Sequence, residues 1–173
     1  MSTNDAEAHH NLGAVRQSQG KLDEAIGHYR EALRINFNYP EAHYNLGAAL
    51  RAQGRIEEAI PHYRQALRVN PDWPPALIDL AWILATSADA RIRQPDEALR
   101  LAERGVELTH PQTAAALDVL AATLAAVGQY ERAVTTAQAA LGLATGAHDE
   151  GTATGIRARL EVYKRGRPYR EPN

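Results

Sequence analysis

The amino-acid sequence predicts an all-α fold built from repeated helix pairs, and three observations carry that reading. Residues 6–39 laid over residues 40–73 match at 19 of 34 positions without a gap, so one stretch of chain is written twice. The retained positions are small or apolar and fall at helical spacing: Leu12/Leu46, Gly13/Gly47, Ala25/Ala59, Ile26/Ile60, Tyr29/Tyr63 and Ala32/Ala66. Gly20 and Gly54 divide each unit in two, where a helix end calls for a residue that tolerates a left-handed backbone.

Within the first unit an apolar pattern runs from about Glu7 to Gln19, breaks at Gly20 and resumes from Leu22 to Ile35 with i, i+3, i+4 spacing. Small residues at Gly13 and Ala25 let the two helices approach closely, with Tyr29 filling the space beside them. Pro61, early in the second helix of unit two, is expected to strain the backbone there, although a hydrogen bond lost so near the start matters less.

A 34-residue helix–turn–helix unit carrying "NLG", then Gly, then "EAIxxYxxAL" resembles the tetratricopeptide repeat family. The resemblance implies an all-α, right-handed superhelix (α-solenoid) of antiparallel helix pairs. The first helix of each pair (A) would line a concave groove, and the second (B) would form the convex outside.

A third unit, residues 74–112, has Leu77, Leu80, Ala81 and Leu84 in the A-helix places, but its second half arrives five residues late. Ala98 follows Ala59 by 39 positions instead of 34, which puts an insertion in "TSADARIRQP". Pro95 then suits the first turn of the next helix, where its missing N–H costs nothing. A fourth unit, 113–147, restores Gly128, Ala133 and Ala140 but has Ala137 where the family has an aromatic residue. Ile156, Leu160 and Tyr163 share one face of a last helix within residues 148–173, which reads as the polar-faced cap that a repeat stack needs, followed by an irregular tail. The whole of 1–173 is thus expected to form a single repeat domain.

Composition narrows the function. Formal net charge is −2 with both signs interspersed, which gives no basic field for nucleic acid. The chain has no cysteine, which fits a reducing compartment. It shows no signal peptide and no apolar run long enough to span a bilayer. The expectation is a cytoplasmic protein, or the soluble part of a larger one, without direct membrane insertion.

Catalytic constellations are not apparent. His9 and His43 occupy a place where the family packs a bulky residue, while His28 and His62 fall on the expected outer face. Recurring once per repeat, these histidines are expected to stand about a repeat apart and to hold no metal, since zinc needs three or four converging ligands. There is no glycine-rich phosphate loop, and neither Ser18 nor Ser87 has His and Asp partners in recognisable order. The chain reads as a non-enzyme with no cofactor.

The expected surface is more informative. Asn11, Asn45 and Asp79 recur every 34 residues at a position that the family turns into the groove. An Asn offers both donor and acceptor, so such a column suits the main chain of an extended peptide. The superhelices of the O-linked N-acetylglucosamine transferase are similar in carrying an asparagine ladder, although a local role for these side chains is the competing reading. The ladder is short, because the fourth position is Val119. One turn earlier stand Glu7, Glu41 and Pro75; with Asp118 on the acidic side and Arg51 on the basic side, the groove should repel a carboxylate terminus. We therefore expect a protein or peptide partner, a neutral-to-basic extended segment contacted by Asn11, Tyr44, Asn45, Arg51, Ile78, Asp79 and Trp82. Trp82 replaces Ala14 and Ala48 of the earlier units, and serves either as an anchor or as a plug that packs on its own chain.

Two basic stretches remain. Arg91 and Arg93 lie on the inserted loop, and the C-terminal Arg157, Arg159, Lys164, Arg165, Arg167 and Arg170 read chiefly as a solvated cap. The segments "LAWxLAT", "LAERxVELT" and "GRPYRE" resemble C-terminal regions of bacterial multi-repeat proteins. That likeness supplies an alternative, the soluble substrate-recruiting repeat region of a larger membrane-bound, glycosyltransferase-like protein. Self-association through exposed helix faces at the repeat ends is a third reading.

Overall fold

The computed structural model describes residues 3–172. Among them are nine helices and no strand: α1 (Thr3–Ser18), α2 (Leu22–Ile35), α3 (Pro40–Ala52), α4 (Ile56–Val69), α5 (Pro74–Thr86), α6 (Pro95–Leu108), α7 (Ala114–Ala126), α8 (Tyr130–Gly146) and α9 (Glu150–Lys164). They pack as consecutive pairs, α1 with α2 through α7 with α8, and α9 closes on α8. The fold is thus an all-α solenoid of repeated helix pairs. It comprises two compact units, one holding α1–α4 and ending at Pro71, the other holding α5–α9 and beginning at Asp72.

Turn chemistry sets where each pair reverses. Gly20, Gly54 and Gly128 have φ of 74°, 76° and 84°, a left-handed conformation that costs a residue with a Cβ atom but not glycine. At each of these turns a backbone N–H reaches a last-turn carbonyl of the A helix, as from Gly20 to Gln17 at 2.9 Å. Pro40, Pro74 and Pro95 open α3, α5 and α6, positions where no N–H is needed. Helix α4 continues through exposed Pro61 from Ile56 to Val69.

Packing in the first unit turns on one close approach per pair. A Cβ at Gly13 would lie 2.5 Å from Cε1 of Tyr29, and one at Gly47 would lie 3.3 Å from the ring of Tyr63. Both rings are buried, and Tyr29 also donates a hydrogen bond from Oη to Gln17 Oε1 at 2.8 Å. In the second unit the same register brings Ala81 and Ala102 into one cluster and Ala121 and Ala137 into another, all four fully buried. A glycine beside a ring has there become two alanines, which answers the missing aromatic at Ala137.

One sequence expectation needs correction. Leu12 is 45% exposed, although its counterpart Leu46 is fully buried, and Val15 likewise stands at 50% against 0% for Ala49. The repeated position is a core position only where a preceding pair packs on it; α2 does this for α3, and α1 has no such neighbour among the described residues.

Two glycine substitutions separate packing from propensity. Gly13→Ala is expected to destabilise the protein by about 1–3 kcal/mol through overpacking. Gly27→Ala, on a helix position where a Cβ meets nothing within 4 Å, is expected to stabilise it by about 0.5–1 kcal/mol. Thermal melts of both variants check the signs, and a stabilising Gly13→Ala would contradict the close approach of Gly13 to Tyr29.

Candidate functional site

In the first unit, the A helices bring Asn45 of α3 to His10 of α1. Asn45 donates from Nδ2 to His10 Nε2 at 2.7 Å, which leaves the other ring nitrogen of neutral His10 carrying the hydrogen that bonds Tyr39 Oη at 3.2 Å. Burial pulls the His10 pKa below its ordinary value, against the opposing pull of Glu41 and Glu7. Asn11, Glu7 and Glu41 are exposed, and Asn45 is half-buried. The face therefore offers one amide held by His10 and one exposed amide, together with two carboxylates. Tyr44 lies half-buried with its ring at 68° to that of Tyr63 and 5.8 Å away, and Arg51 is half-buried further along α3. His10 was not singled out from the sequence; the available signal was its place as the counterpart of Tyr44, between the paired histidine and the asparagine.

The other histidines do not stand a repeat apart. His9 meets His28 within the first pair, Nδ1 to Nδ1 at 3.3 Å, and His43 meets His62 within the second at 3.1 Å. A separation of 19 residues crosses the turn and returns to the same level of the partner helix, a relation that the one-per-repeat recurrence conceals. His43 is buried and donates from Nε2 to the carbonyl of Phe37 at 2.9 Å. Its Nδ1 is then the acceptor, and His62 Nδ1 the donor, of the bond between them. Among the described residues no three His, Cys, Asp or Glu side chains converge as metal ligands.

In the second unit the expected contact residues have different surroundings. Ile78 packs towards α6, where its Cδ1 would lie 2.6 Å from a Cβ at Gly105, and with Pro74, Pro75, Leu108 and Thr113 it lines an open apolar depression. Asp79 is half-buried on α5. Trp82 donates from Nε1 to Glu171 Oε1 at 2.7 Å, so the C-terminal tail lies against it. Asp118 is not an open acidic group: it is buried and receives both Nε and Nη2 of Arg159 at 3.0 and 2.6 Å. Burial raises its pKa, with the Arg159 bonds acting in the other direction. Arg159 and Arg170 accordingly belong to a packed cluster rather than to a solvated face. On the inserted loop, Arg93 donates to the carbonyls of Ser87 and Ala88 at 2.9 and 2.8 Å, and Arg91 pairs with Asp89 at 2.6 Å.

The tetratricopeptide repeat family model matches residues 4–72 and 38–109, which together span more than half of the chain. The protein belongs to the tetratricopeptide repeat family. The fourth pair and α9 lie beyond the matched residues. Among solved structures, MamA residues 41 to the end from Desulfovibrio magneticus RS-1 is similar at 22% identity and a TM-score of 0.69, over 93% of this chain and 96% of that one. YrrB, described as a tetratricopeptide repeat protein with an unusual peptide-binding site, is similar at 24% identity and a TM-score of 0.71, over 94% and 79% of the two chains. PilW, a type IV pilus biogenesis factor, is similar at 16% identity and a TM-score of 0.68, over 92% and 78%. No curated protein matches. These likenesses establish the shared repeat fold, and the family assignment makes the chain a protein–protein interaction scaffold. No helix among the described residues is long and apolar enough to cross a membrane.

The histidine pair of α3 and α4 carries a pH dependence. The His62 pKa is pushed down to about 4, first by burial and then by His43 and Arg30, against Glu58; that of His43 is lowered by burial and Arg68, against its bond to Phe37. An unfolded histidine takes up its proton near pH 6.5, whereas these do so only at lower pH. As pH falls from neutrality the unfolded chain therefore binds more protons than the folded one, and stability drops. The melting temperature is expected to fall between neutral pH and about pH 5, with a smaller fall in His62→Gln. An unchanged slope in that variant would contradict the assignment.

Proposed function

We propose that the A-helix face of the first unit binds an extended, neutral-to-basic segment of a partner protein. Asn11 and Asn45 engage its main chain, Glu7 and Glu41 select against negative charge, and Tyr44 and Arg51 flank the segment on α3. The observation that carries this reading is the bond of Asn45 to His10, which Tyr39 holds from its other ring nitrogen, because it fixes that amide before a ligand arrives and reduces the ordering cost of binding. YrrB supports the reading as a fold neighbour whose description includes a peptide-binding site.

Each main-chain hydrogen bond contributes about 0.5–1.5 kcal/mol. A folded Asn11→Ala/Asn45→Ala variant should therefore capture its best peptides from an immobilised library about tenfold more weakly. In Glu7→Gln/Glu41→Gln, the preference for Lys- and Arg-containing peptides should shrink. Retention of the same peptides at the same strength by the folded asparagine variant would overturn the proposal.

A further inference from the structure

The C-terminal tail crosses the end of α5 and meets it through four different chemistries. Backbone N–H of Glu171 donates to the carbonyl of Thr86 at 2.8 Å, and Arg170 Nη1 donates to the carbonyl of Ala85 at 2.9 Å. These carbonyls belong to the last turn of the helix, where intrahelical donors have run out. The carboxylate of Glu171 takes the indole N–H of Trp82 at 2.7 Å. The ring of Tyr169 lies 5.9 Å from that of Trp82, and the Arg159 guanidinium stands over both, 5.3 Å and 5.6 Å from their centroids. Asp118 holds Arg159 in place from below through its two bonds.

This is how a short extended segment is recognised: a main-chain donor, a guanidinium on carbonyls, a carboxylate on an indole and an aromatic ring on a cation–π platform. The receptor side is helical, being built from α5, α7 and α9. The tail side is irregular chain after Gly166, whose φ of 65° marks the turn out of α9.

We propose that residues 169–171 are an intramolecular ligand of this face, and that the face binds a partner's extended segment with an aromatic residue, Arg and an acidic residue in succession once the tail is released. The inference rests on the reading of the chain as a peptide-binding scaffold but uses a separate surface from the asparagine face. The tail occupies the receptor by virtue of its tether, so a free segment binds only the fraction of molecules with the tail off, and apparent affinity falls by that fraction. The identity of the occupant is given by the tail itself, since its side chains match the acceptors, donor and platform one by one.

The test uses the full chain with Tyr169→Ala, Arg170→Ala and Glu171→Ala, beside the native protein. The probe is a fluorophore-labelled synthetic peptide of residues 166–173, read by anisotropy. The released variant should bind it at least about tenfold more tightly than the native chain. Adding Trp82→Phe, which keeps a ring but removes the indole donor, should weaken that binding, and a scrambled peptide should not bind. Equal affinity for native and released chains, or no binding to a released chain of native helicity, would overturn the proposal. Should the released variant lose helicity, amide exchange of the native chain decides: tail amides exchanging well ahead of α9 support a replaceable ligand, and tail amides as slow as α9 contradict it. Dimerisation of the native chain that is lost in the released variant would assign the face to a second copy and also contradict it. Because the asparagines are untouched, library capture by the Asn11/Asn45 face stands or fails independently of this result.

Discussion

Each helix pair of the first unit closes because the A helix has no Cβ where the B helix brings a tyrosine ring. With Gly13 against Tyr29 and Gly47 against Tyr63, the two helices approach to ring-on-backbone contact, and interiors packed at that density leave no slack for an extra methyl group. The approach fixes which residues of the A helix face away from the B helix. His10, Asn11, Tyr44 and Asn45 project as they do because their neighbours at Gly13, Leu46 and Gly47 are spoken for. In the second unit Ala81 with Ala102 and Ala121 with Ala137 solve the same problem with nearly equal side chains, and the site there takes a different form.

Much of this was legible in the sequence because it depends on local rules. The gapless repeat, the left-handed glycines and the prolines at helix starts each act over a few residues, and all of them recur in the structure. The exposed state of Leu12 was not legible, since burial of an A-helix face depends on what precedes it and not on the residue. The histidine pairs were missed for a related reason: recurrence by repeat invites comparison of His9 with His43, whereas contact runs from His9 to His28 and from His43 to His62. The tail was invisible because three of its partners, Trp82, Ala85 and Thr86, lie on α5, with Trp82 standing 89 residues from Glu171 and Ala85 standing 85 from Arg170, and two of them act through backbone carbonyls.

Polar groups divide the molecule's two faces by how they are satisfied. In the first unit His10 ties Asn45 and Tyr39 into a network whose members stay in contact with water, so a ligand adds bonds without breaking buried ones. In the second unit, Asp118 and Arg159 form a nearly enclosed ion pair. Its value lies less in net stability, which burial of two charges largely offsets, than in holding a guanidinium plane where rings can stack on it. A preorganised charge beneath an aromatic platform is useful only to something that comes to rest on top, and in this structure that is the chain's own Tyr169.

The central claim, that the amides of Asn11 and Asn45 meet a partner's main chain, is tested most directly by nuclear magnetic resonance. The side-chain NH2 signals of the nitrogen-15-labelled full chain would be followed while the most enriched library peptide is added, with assignments taken from Asn→Gln variants. The account predicts that the Asn11 and Asn45 amide signals, together with the His10 ring, shift first and saturate with one binding curve. Shifts confined to residues of α2 and α4, or an Asn11 and Asn45 pair that stays still while the peptide binds, would contradict it.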